Sequence, residues 1–134
     1  MSFYDKLTSQ LKKHEGVRLH PYEDTTGHIT IGAGRNLTDK GITEEEVDFM
    51  LRDDIIEVEL RLDDNMFWWR HKPEAVQLVL CDMCFNLGIS GLLTFDKFLH
   101  AIRLNAWETA QMEMLDSLWA KQVGIRAENL KEML

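Results

Sequence analysis

The sequence is short of cysteine, of long apolar runs and of positive charge, and each shortage excludes something. Only two cysteines, Cys81 and Cys84, occur in 134 residues. A C-x-x-C pair can be redox-active or half a zinc site. Zinc needs about four ligands, and neither a second cysteine pair nor the five histidines supply the spacing. The βαβ pattern of a thioredoxin-type site is also missing. Two reduced thiols on an apolar helix are expected instead. No apolar run approaches the ~18 residues of a bilayer span, so no stable membrane insertion is expected. The opening residues, Met1 to Lys6, turn polar at once and build no signal segment. Accumulation in the cytoplasm is the expectation. Fifteen Lys and Arg against 23 Asp and Glu leave a net charge of −8. That balance opposes nucleic acid as a partner and simple electrostatic docking on an anionic surface. No internal repeat, low-complexity stretch or linker breaks the chain, which reads as a single domain and a monomer.

What is present is ordinary globular composition, enough to bury about two-thirds of the unfolded surface. The acidity is local. Residues 44–64 hold ten acids and only Arg52 and Arg61, leaving 13 of each sign elsewhere. Residues 3–14 read as a helix with Phe3, Leu7, Leu11 and His14 on one stripe, Ser2 as cap and Gly16 as stop. Short β-like runs follow, Leu19 to Glu23 and His28 to Ile31, around the turn Asp24-Thr25-Thr26-Gly27. Gly32-Ala33-Gly34 marks a bend, and 35–42 reads as a polar loop. Thr43 and Glu46 form a capping box for a long helix with the stripe Val47, Met50, Leu51, Ile55, Val58, Leu62. Pro73 suits the first position of a helix that is apolar on nearly every side from Ala75 to Leu87 and stops at Gly88. Helical patterns cover 95–104 and 106–115, and a last one begins near Ile125. In Met66-Phe67-Trp68-Trp69-Arg70-His71-Lys72 the aromatics can plug a helix junction or stack on sugars or bases; packing is the expected role.

The chemistry concentrates between residues 15 and 34. Glu15 stands at a helix end, Asp24 at the mouth of a hairpin turn, and Thr30 on the returning strand beside it. Two carboxyls with a hydroxyl between them suit glycosidic cleavage, one protonating the leaving oxygen and the other, ionised, acting on water. Taken alone, an Asp in a turn and a Glu at a helix end also have common structural explanations.

The wording of this segment is more specific. Glu15, Gly16, Arg18, Leu19, Tyr22, Asp24, Gly27, Thr30, Ile31, Gly32 and Gly34 resemble the phage-type lysozymes, glycoside hydrolase family 24, the group that includes the lysozyme of T-even phages. Arg35-Asn36-Leu37-Thr38 resembles the loop after that family's hairpin. Met83-Cys84-Phe85-Asn86-Leu87-Gly88 resembles the end of its buried helix, and the likeness runs from about residue 3 to 130. The resemblance implies a mainly helical α+β fold. A small β lobe (about 15–43) would be joined by a connecting helix (about 44–62) to a helical lobe (about 66–134 with 1–14). It implies an endolysin-type muramidase that hydrolyses the β-1,4 bond between N-acetylmuramic acid and N-acetylglucosamine in peptidoglycan. Glu15 would be the general acid, Asp24 would help activate water and Thr30 would orient it, and no metal or cofactor is implied. Phe85, Asn86 and Trp119 would line the saccharide cleft, Arg126 would pair with Glu15, and Arg35 with Asp54. The family's best-known member inverts the anomeric centre, which requires room for water between the carboxyls. A phage endolysin would need a holin-type, membrane-permeabilising partner to reach the wall.

Three departures stand against this. The stretch Thr38 to Thr43 is shorter than in T-even members, the chain stops soon after Arg126, and the −8 charge is unusual beside basic members. The rival readings are a non-catalytic wall- or partner-binding module on the same fold and a lytic transglycosylase using Glu15 alone.

Overall fold

A computed structural model describes all 134 residues. Helix α1 spans Phe3–Glu15. Three strands follow, β1 (Arg18–Glu23), β2 (Ile29–Gly32) and β3 (Arg35–Asn36), then α2 (Glu44–Asn65). A 3-10 turn at Trp69–His71 leads to α3 (Glu74–Leu93), α4 (Asp96–Arg103), α5 (Trp107–Leu115), α6 (Leu118–Val123) and α7 (Ile125–Glu132). The fold is α+β and mainly helical, as expected. The chain divides into two compact units, Met1–Phe49 and Met50–Leu134. The boundary falls within α2, and α1 belongs to the first unit.

In the N-terminal unit the caps anticipated from sequence are made. Ser2 Oγ accepts from the Asp5 amide while the Asp5 carboxylate accepts from the Ser2 amide, satisfying two donors that a helix start leaves orphaned. Gly16, at φ 76°, ends α1 and returns its N–H to the Lys12 carbonyl. The sheet has the order β1-β2-β3, antiparallel throughout. Its third strand occupies part of the expected polar loop, because the free edge of β2 offers pairs to Asn36 and Arg35. No side chain of α1 is buried. Its stripe stays exposed, with Phe3 at 81% and Leu11 at 44%, because no other element of this small unit packs along it.

The C-terminal unit holds the hydrophobic core. Leu62 enters from the last turns of α2 and Met66 from just beyond it, Val79, Leu80, Met83 and Leu92 from α3, Phe98 and Ile102 from α4, and Met114 from α5. Each side chain of this size contributes about 1.5–3 kcal/mol on burial. The long stripe expected on α2 is buried only at Leu62, with Val58 partly covered. Trp69 is buried and its Nε1–H donates to Asp63 at 2.8 Å, so this aromatic packs a junction. Phe67 beside it is exposed.

Gly88 behaves as a kink. At φ 75° and ψ 162° it breaks the helical backbone, and a short helical segment then continues to Leu93. Across that kink α3 has a mean hydropathy of 1.6 and is, by length and composition, apolar enough to cross a membrane. This corrects the expectation that no such segment exists. Its portion before the kink, about 14 residues, reaches roughly 21 Å against a hydrocarbon core of roughly 30 Å, and its Val79, Leu80 and Met83 form the centre of the core.

Candidate active site

The local turn chemistry places Asp24. Strands β1 and β2 pair Tyr22 with Thr30 and Glu23 with Ile29. Beyond that pair the Asp24 amide donates to the His28 carbonyl (2.9 Å) and the Gly27 amide to the Asp24 carbonyl (3.1 Å). The Asp24 side chain turns back over this loop, as aspartate does at the head of a turn. Its Oδ1 accepts from the Thr26 amide (2.9 Å), the Thr26 hydroxyl (2.8 Å) and the His28 amide (2.9 Å). These donors, the His28 amide first and the Thr26 hydroxyl next, hold the carboxyl below its usual range. Asp24 is therefore ionised at neutral pH.

Thr30 is the one buried polar residue of the chain, at 4% exposure. Its hydroxyl donates to the His28 carbonyl at 3.1 Å, the same oxygen that receives the Asp24 amide. The hairpin thus brings Thr30 and the Asp24 backbone to one acceptor, although the strand partner of Thr30 is Tyr22.

Glu15, the last residue of α1, reaches the bend between β2 and β3. A Cβ added to Gly34 would lie 2.8 Å from Glu15 Oε2 and 3.0 Å from its Cδ. The carboxyl therefore rests directly on a glycine whose φ of 76° L side chains rarely adopt. Glu15, Asp24 and Thr30 all belong to the N-terminal unit.

Two expected ion pairs have other partners. Arg35, expected on Asp54, has its partner within its own unit. It forms a two-pronged pair with Glu46, Nη1 to Oε1 at 2.9 Å and Nη2 to Oε2 at 2.8 Å, and also donates to the Gly41 carbonyl. Glu46 lies in the first turn of α2, two turns before Asp54, within reach of the bend that carries Arg35. It also accepts from the Thr43 amide as the capping-box acid. With Arg35 as the larger cause, its carboxyl is lowered to about 2. Asp54 lines a depression of about 310 Å³ with Glu57, Arg61 and Phe85. Arg126, expected on Glu15, is held by Asp82 of its own unit. Both Nε and Nη2 stand 2.7 Å from Asp82 Oδ1.

The remaining candidates lie in the C-terminal unit. Phe85 is half-exposed at 46%, and Asn86 is exposed. Trp119 is a correction to the idea of a cleft-lining tryptophan. It is 5% exposed, meets the Phe95 ring edge-on at 6.0 Å, and donates Nε1–H to Asn86 Oδ1 at 2.7 Å. Its ring is nearly covered, and it anchors Asn86. Cys81 and Cys84 are free thiols on α3, and burial pushes Cys81 up to about 11.

The sequence reading passed over Thr26, His28, Gly34, Glu46 and Asp82 as site residues. Asp-x-Thr at the head of a turn is a signal for the first of these. The roles of Glu46 and Asp82 have no local signal, because their arginine partners arrive through tertiary structure.

The chain is similar to several known proteins. A pre-baseplate central spike protein of Enterobacteria phage T4 is 27% identical over 149 residues, covering 90% of this chain and 26% of the spike protein. A probable T4-type lysozyme of Dictyostelium discoideum is 23% identical, covering 90% of this chain and 88% of its own. An endolysin of Acyrthosiphon pisum secondary endosymbiont phage 1 is 28% identical, covering 90% and 82%. This chain spans about a quarter of the spike protein and more than four-fifths of the other two. The phage lysozyme family model matches residues 12–132. That match supports a function of lysozyme type, and the chain belongs to the phage lysozyme family.

Proposed function

We propose that this chain is a muramidase of endolysin type, hydrolysing the β-1,4 bond between N-acetylmuramic acid and N-acetylglucosamine in peptidoglycan. The observation that carries the reading is the contrast between two carboxyls of one unit. Asp24 is locked as an anion by three donors, while Glu15 is positioned by contact with Gly34. Glycosidic cleavage asks for that contrast, one group protonating the leaving oxygen and one staying ionised to act on water. In this reading Glu15 is the general acid, Asp24 assists the attacking water, and the Thr30 hydroxyl orients it. Asn86, fixed by Trp119, and the half-exposed Phe85 are proposed to contact saccharide. Arg126 and Arg35 act as structural supports through Asp82 and Glu46. Release from a host cytoplasm through a holin-type partner is part of the same proposal.

The test is mass spectrometry of purified peptidoglycan after digestion by the parent and by Glu15→Gln. Hydrated muramic-acid reducing ends from the parent, lost in the variant, are expected. Anhydro ends would move the assignment to a transglycosylase. Sedimentation with the wall without products from either protein would make the chain a binding module.

A further inference from the structure

Beyond the three proposed catalytic residues, the hairpin carries a polar chain with no counterpart in that mechanism. Thr26 Oγ1 stands 2.8 Å from Asp24 Oδ1 and 2.6 Å from His28 Nδ1. The far side of the same ring, His28 Nε2, is 3.2 Å from Asp39 Oδ2. Asp39 is in turn held by Asn36, whose Nδ2 donates to Asp39 Oδ2 (3.1 Å) and whose Oδ1 accepts the Asp39 amide (3.0 Å). The loop after β3 is stitched to β2 by two more bonds, Ile29 amide to Thr38 Oγ1 (2.8 Å) and Leu37 amide to Ile29 carbonyl (2.7 Å). The line Asp24–Thr26–His28–Asp39–Asn36 thus runs from the tip of the hairpin to its third strand.

Proton counting gives the line a direction. An ionised carboxylate only accepts, and a hydroxyl has one proton to donate. The Thr26 proton therefore goes to Asp24, and the Thr26 oxygen accepts from His28 Nδ1–H. Asp39 also only accepts, so the contact at Nε2 needs a proton there too. All groups are satisfied when both ring nitrogens carry protons, with the ring between the Asp24 and Asp39 carboxylates.

We propose that Thr26 and His28 are positioning residues for Asp24, the Thr26 hydroxyl tying that carboxylate to a His28 ring anchored on Asp39. This rests on the reading of Asp24 as the water-assisting group. The hydroxyl joins the Thr26 and His28 amides on Oδ1 and so adds to the bonds that set where the other oxygen, Oδ2, points. Displacement of a positioned group by about 1 Å can cost orders of magnitude in rate.

The test combines rate and titration on the full chain. With soluble, uncrosslinked peptidoglycan fragments, Thr26→Val is expected to lower kcat about tenfold with KM unchanged, and Thr26→Ser to restore it. His28→Ala is expected to match Thr26→Val, and the double variant to fall no further, because either change breaks the same chain. The carboxyl carbon of Asp24, followed by NMR, is expected to titrate at higher pH in Thr26→Val, since a donor to the ionised form is lost, and to return in Thr26→Ser. A parent that hydrolyses while Thr26→Val keeps full kcat and an unmoved Asp24 midpoint overturns the positioning role alone. Additive losses in the double variant overturn the shared chain. A parent that hydrolyses nothing overturns the proposed function, and an unmoved Asp24 midpoint would then still refute the tie between Thr26 and that carboxylate.

Discussion

Replacing Gly34 by alanine separates a cost to the fold from a cost to the chemistry. Alanine at φ 76° sits in the left-handed region, which disfavours a Cβ by about 1–2 kcal/mol. With an unfolding entropy of about 2.1 cal/mol/K per residue, that corresponds to a Tm drop of about 4–7 °C. The new methyl would also come 2.8 Å from Glu15 Oε2, 3.0 Å from Cδ and 3.2 Å from Cγ, closer than packed carbon and oxygen tolerate. Backing away is cheap in stability, because the obstructing group is the far end of a flexible side chain. It is costly for catalysis if that group is the acid, since a displacement of about 1 Å can lower kcat by about 100-fold. Gly41→Ala is the control, having a similar φ of 63° but nothing within 4 Å of the added Cβ. Thermal unfolding and turnover on peptidoglycan fragments are measured for both. Similar Tm losses are expected, with the large kcat loss confined to Gly34→Ala. Equal kcat in the two variants would refute the claim that the Glu15–Gly34 contact sets the position of the acid.

Other predictions follow from the same contacts. Glu46→Gln should lower Tm at pH 7. Because the folded-state carboxyl is lowered to about 2 from 4.5, its contribution is complete above about pH 4.5 and fades as pH falls towards 2, so parent and variant should converge over that range. Leu62→Ala, at a fully buried position, should cost about 2–5 kcal/mol in urea unfolding. Cys81, raised to about 11 by burial, should react with a thiol reagent at pH 8 far more slowly in the folded protein than after denaturation.

What could be read from the sequence was local chemistry. Ser2 with Asp5 and Thr43 with Glu46 announce helix starts because each box is closed within four residues. Gly16 and the Asp24–Gly27 turn likewise need only their own backbone. The elements that escaped depend on neighbours. Strand β3 is two residues long and exists because β2 presents an edge. Gly88 bends the chain without ending the helical run, since the following residues up to Leu93 still have a core to pack against through Leu92. Trp119 looks like a cleft residue in sequence, yet its surroundings in the C-terminal unit bury it. Arg35 and Arg126 were recognisable as paired cations, but their partners are chosen by which carboxylate the folded chain brings nearest, Glu46 and Asp82.

The two carboxyls of the N-terminal unit are fixed by different means, and the difference bears on the roles proposed for them. Asp24 is held by bonds that favour its charged form, supplied by residues no more than four positions away. Its state is therefore set by the turn itself and does not await substrate. Glu15 is placed by shape, against a glycine that no other residue can replace without strain. A group that must give up a proton and take it back is better positioned by contact than by donors that would hold it as an anion. Exchanging the two would fail in both directions. A locked anion at position 15 could not protonate a leaving oxygen, and a loosely held carboxyl at position 24 would lose both its charge bias and its aim.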